Sequence, residues 1–76
     1  MDGWKERLKE EYAQCKERYE KLKAFNTKKE VASYLSETVP SQAEHYSNLL
    51  LERQQSAMGE YLHILELRAE LAHIEL

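Results

Sequence analysis

Seventy-six residues with a formal net charge of −3 leave room for one domain, near the size at which a single core barely offsets chain entropy. With 33% charged residues, two glycines and one proline, the composition favours long helices over a sheet. The acidic balance sets non-specific nucleic-acid binding aside, and no run approaches the roughly 18 apolar residues that span a bilayer.

A single cysteine, Cys15, excludes an intrachain disulfide and suits a reducing compartment. Residues 1–9 carry charges throughout and lack the apolar stretch of a signal peptide. The expectation is a cytoplasmic protein that gains stability by assembling.

The first helix is expected over residues 3–25, capped by Asp2 and favoured by Glu6 near its positive end. Leu8, Tyr12, Cys15, Tyr19 and Leu22 form one stripe at alternating fours and threes, flanked by Trp4 and Phe25. Cys15 on such a stripe is a small buried residue rather than a nucleophile, since no general base accompanies it.

Asn26 suits a helix C-terminus, and Thr27 with Glu30 reads as a capping box that opens a short connecting helix over residues 28–35. Pro40 pushes Val39 toward an extended conformation. Ser41 with Glu44 is a second capping box, starting a long helix over residues 41–75. The predicted fold is therefore all-α: a single helical domain, 1–76, made of an antiparallel hairpin with a long first helix, a short connector helix and a longer second helix. The hairpin is expected to assemble into a homo-oligomeric helical bundle.

The second helix carries two seams. Leu51, Gln55, Met58, Leu62, Leu65, Ala69, Ala72 and Leu76 form a nearly dry line. Beside it run Leu50, Gln54, Ala57, Tyr61, Ile64, Arg68 and Leu71, in which Gln54, Tyr61 and Arg68 recur one heptad apart. Polar side chains on a seam sit at its edge with solvated tips, where they can fix register, or they line a pocket between subunits. In the second case Arg68 and Gln54 hold an anionic or amide-bearing ligand and Tyr61, with Tyr12, stacks on it.

With Phe25 placed beside Glu44, Trp4 falls opposite roughly Leu65, given a rise of about 1.5 Å per residue in both helices. The end of the second helix then overhangs, and its apolar residues Leu67, Leu71, Ala72, Ile74 and Leu76 are expected to contact another subunit.

His63, Glu66, Glu70 and His73 share a face, and Glu70-x-x-His73 has the spacing used in di-iron bundles. The first helix puts no carboxylate on its apolar stripe to complete such a site, so a solvated charged face is the better reading and no metal is expected. No Gly-rich phosphate loop and no serine with a His–Asp partner is present, so neither an enzyme nor a cofactor is expected.

Glu6-Arg7-Leu8 and Glu17-Arg18-Tyr19-Glu20-Lys21-Leu22-x-x-Phe25 resemble the first helix of a family of small phage proteins grouped with a protein of a crAss-type phage. Leu49-Leu50, Gln54, Ala57-Met58, Tyr61, Ile64-Leu65 and Arg68 are similar to that family's second helix. The resemblance implies a tailed-phage origin and an accessory role in the host bacterial cytoplasm. By analogy of size and architecture, the leading expectation is an oligomer that counters host defence by sequestering a nucleotide-type immune signal between subunits. The alternatives are an adaptor or inhibitor docking on a host defence protein, and a structural coiled-coil component.

Overall fold

The computed structural model describes residues 3–76. Two helices, α1 (Gly3–Leu35) and α2 (Gln42–Leu71), run antiparallel and pack side by side in a rod of 56 × 18 × 16 Å. The architecture is all-α and hairpin-like. Each helix has one covered flank, and the rest of its surface faces solvent.

The break expected at Asn26 does not occur. The segments 3–25 and 28–35 are one continuous helix, which makes α1 slightly longer than α2. Asn26 has another use: its Nδ2 donates to the Leu51 carbonyl at 3.1 Å and to Gln55 Oε1 at 2.9 Å across the helix pair. Thr27 does not cap; its Oγ1 donates back to the Lys23 carbonyl at 2.7 Å, the bond a threonine makes inside a helix. The expected cap at Asp2 lies outside the described residues.

α1 ends where a real competitor appears. The Thr38 N–H donates to Ser36 Oγ at 3.1 Å in a local turn, and Pro40 follows. Ser41 then caps α2: its backbone is extended and its Oγ accepts from the Glu44 N–H at 3.2 Å.

The Leu51 seam faces α1. Leu62, Leu65 and Ala69 are buried against Leu8 and Cys15, with Leu51, Gln55 and Met58 half-buried behind them. The core cluster is Leu8, Leu65 and Ala69, with Tyr12 and Ile74 packed on it. Gly59 lets the helices approach closely, because a Cβ there would lie 3.2 Å from the Tyr19 ring.

Because α1 continues through residue 35, Asn26 pairs with Leu51 and Gln55, and Phe25 does not reach Glu44. The expected overhang of α2 therefore vanishes: Tyr12 of α1 reaches Glu66. α2 also stops at Leu71, short of residue 75. There the Ile74 N–H donates to the Ala69 carbonyl at 2.8 Å and the His73 N–H to the Glu70 carbonyl at 3.2 Å, with His73 left-handed at φ 56°. This double-bonded reversal returns Ile74 to the core. Ala72 is half-buried in the same chain, whereas Leu67, Leu71 and Leu76 are exposed.

Candidate functional site

The hairpin has a different groove on each flank. On one flank, Trp4, Arg7 and Glu11 of α1 meet Tyr61, Leu65 and Arg68 of α2 around an open groove of about 270 Å³. The Tyr61 hydroxyl donates to Glu11 Oε2 at 2.9 Å, and this bond raises the Tyr61 pKa above its ordinary value. The bond ties Tyr61 of α2 to α1 beside the groove. Gly3 leaves space for the Arg7 guanidinium, whose Nη1 lies 3.0 Å from where a Cβ would stand.

Two guanidiniums and two large aromatic rings line this groove, with one carboxylate that is already hydrogen-bonded. Guanidinium groups bind carboxylates and phosphates through paired hydrogen bonds, and aromatic faces stack on planar ligands. The volume of about 270 Å³ is just below the roughly 300–1,000 Å³ typical of small-molecule pockets.

On the other flank, Tyr12, Lys16, Tyr19, Gly59, His63 and Glu66 border a groove of about 240 Å³. The Tyr12 hydroxyl donates to Glu66 Oε2 at 2.7 Å, and His63 Nδ1 lies 3.3 Å from Glu66 Oε1. The bond from Tyr12, then that with His63, holds the Glu66 pKa below the usual carboxylate value, and the Tyr12 pKa is raised by the same bond.

Of the four residues expected to bind a ligand, Tyr61 and Arg68 share a groove. Tyr12 lies across the hairpin from them, and Gln54 is exposed and lines neither groove. Trp4 and Arg7 join the site without having been singled out for it. Their signal was in the sequence: Trp4, Arg7 and Glu11 step by three and four beside the Leu8 stripe, a line that gains meaning once the helices are paired in register.

Glu70 and His73 do not keep a helical i,i+3 relation, since His73 lies past the end of α2. Among the described residues, no group of three or more His, Cys, Asp or Glu side chains is placed to hold a metal ion. Cys15 is buried. Neither described helix is long and apolar enough to cross a membrane.

No curated protein and no solved structure matches the chain. A family model described as Sequestin matches residues 2–71. That span takes in both helices, the connector and both grooves, and the chain belongs to the Sequestin family.

Proposed function

We propose that this chain is a phage-encoded accessory protein that counters host defence by binding, and that it sequesters a nucleotide-type immune signal between subunits in the bacterial cytoplasm. The observation that carries this reading is the groove in which Arg7 and Arg68 flank Trp4 and Tyr61. Its chemistry suits a ligand with phosphates and a planar base. The family's name supports a sequestering role.

Calorimetric titration with cyclic di- and trinucleotides and with ADP-ribose derivatives tests the reading. Tight binding of one of them is expected, lost in Arg68→Ala and in Arg7→Ala. No binding by any of them, or unchanged binding in Arg68→Ala, overturns it.

A second reading, docking on a host defence protein, is favoured by the closed end of the hairpin. There Tyr34 is 88% and Val39 91% exposed. Large apolar groups this open at a loop tip suit a protein partner.

A further inference from the structure

On the Leu50 seam of α2, Tyr61 and Arg68 border the groove with α1, but Leu50, Ala57, Ile64 and Leu71, one heptad apart, are all exposed. Charge is arranged on this face in a particular way. Arg53 and Glu60 stand two turns apart on one edge of the seam, bordering a shallow groove that contains Ala57. The midpoint between them falls beside Ala57, and so does the midpoint of α2 itself.

We propose that two copies pack α2 against α2 in antiparallel, two-fold fashion, crossing at Ala57, so that Leu50 of each copy roofs the Trp4–Arg7–Tyr61–Arg68 groove of the other. Three features meet at this register. Arg53 of each copy comes opposite Glu60 of the second, which makes two reciprocal ion pairs; in a parallel pairing this edge of one copy lies on the far side of the interface from the same edge of the other, and Arg53 and Glu60 do not meet. Ala57, the smallest apolar residue on the seam, sits where the two helices come closest. The full length of α2 is overlapped, so Leu50 meets Tyr61 and Ile64 of the second copy instead of water. A two-fold contact of this kind is self-complementary and closes at two subunits.

The arrangement also gives Gln54 a place. Lying one turn before Ala57, it enters the interface near the axis, where a polar side chain fixes register. The groove takes its fourth wall from the second copy, so a lone chain holds an incomplete site. This last consequence rests on the sequestration reading, but the pairing does not, and the first two tests use no ligand.

Cysteine cross-linking reads the geometry. Ala57→Cys, placed next to the axis, is expected to form a disulfide-linked dimer under mild oxidation, whereas Leu71→Cys, about 20 Å from the axis at 1.5 Å per residue, is not. The unaltered chain, whose Cys15 is buried, serves as control. Linking at both positions means parallel packing and overturns the proposal; linking at neither overturns it as well. Charge reversal reads the register: Arg53→Glu and Glu60→Arg each weaken the dimer at least tenfold by sedimentation, and the double variant restores it. Failure of the double variant to recover overturns the register. Leu50→Ala is then expected to weaken ADP-ribose binding severalfold if that probe binds the unaltered chain. Unchanged binding in Leu50→Ala with both ligand-free results intact overturns the roof, whereas no binding to the unaltered chain tells against sequestration instead.

Discussion

The two ends of the hairpin are built from the same kinds of residue and held in opposite ways. At the terminal end, Leu8, Cys15, Leu62, Leu65 and Ala69 are buried, and the chain reverses after α2 to add Ile74 to them. At the closed end, residues 27–47 contain no buried or half-buried position, although Val31, Tyr34, Leu35 and Tyr46 lie among them. Helix persists there with no core beneath it. A segment of that length is marginal as an isolated helix, so its order is inherited from the packed end through α1 and through the Asn26 bridge. The difference teaches where stability is made and where apolar surface is left open.

The comparison breaks most directly at Leu65, which is 1% exposed. Leu65→Ala is expected to cost about 2–5 kcal/mol, enough to unfold so small a protein, whereas Leu35→Ala at the closed end should change stability by less than about 0.5 kcal/mol. Chemical denaturation followed by circular dichroism measures both. Equal losses would mean that the closed end is packed in solution after all.

Gly59 sharpens the same contrast from the helix–helix contact. Alanine there has two opposed effects, about 1 kcal/mol of helix propensity gained and a tight approach to Tyr19. A larger residue has no such balance: Gly59→Leu is expected to cost about 1–3 kcal/mol by overpacking. Restoration by Tyr19→Ala in the double variant would place the clash at that ring.

How much of this was legible follows from which signals had competitors. The Leu8 stripe and the Leu51 seam were readable because apolar residues at four–three spacing have few uses other than burial, and the Ser41 cap was readable because Pro40 stops the chain just before it. The break at Asn26 was misread. Asparagine and threonine end helices when nothing better is offered, but Asn26 finds Leu51 and Gln55 across the interface, and Thr27 satisfies itself on Lys23. That single misreading moved the register, and with it the imagined overhang and the expected meeting of Tyr12 with Tyr61. The groove at Trp4 and Arg7 was within reach, since Trp4 was already placed opposite Leu65 and the two line it together; what was missing was the step from Trp4 to Arg7 and Glu11 beside the stripe.

The reversal at the end of α2 offers a gain in stability. His73 adopts the left-handed conformation at a position where glycine carries no steric penalty. His73→Gly is expected to raise stability by up to about 1 kcal/mol, seen as a higher denaturation midpoint. A loss would show that the imidazole makes a contact in solution that outweighs the backbone strain.

The smallest effect lies in the titration of the Tyr12–Glu66 bond, which ties the two helices together within the packed end. The Glu66 pKa is depressed from an ordinary value near 4.5, chiefly by the bond from Tyr12, so its contribution is present above that value and is lost as pH falls through the folded-state pKa. The Tyr12 pKa is raised from 10.0 by the same bond, so its contribution is present below that value and is lost as pH rises through the folded-state pKa. Between these limits the bond is whole. Other carboxylates add their own acid dependence, and the informative quantity is therefore the difference between the unaltered chain and Tyr12→Phe. That difference should be constant near neutrality, shrink in acid as Glu66 takes up its proton, and shrink again in alkali as Tyr12 loses its own. No such narrowing is expected at the closed end, where the Lys29–Asn48 hydrogen bond does not involve a carboxylate. A difference that stays flat in acid would mean that Glu66 is solvated and that burial alone holds the packed end together.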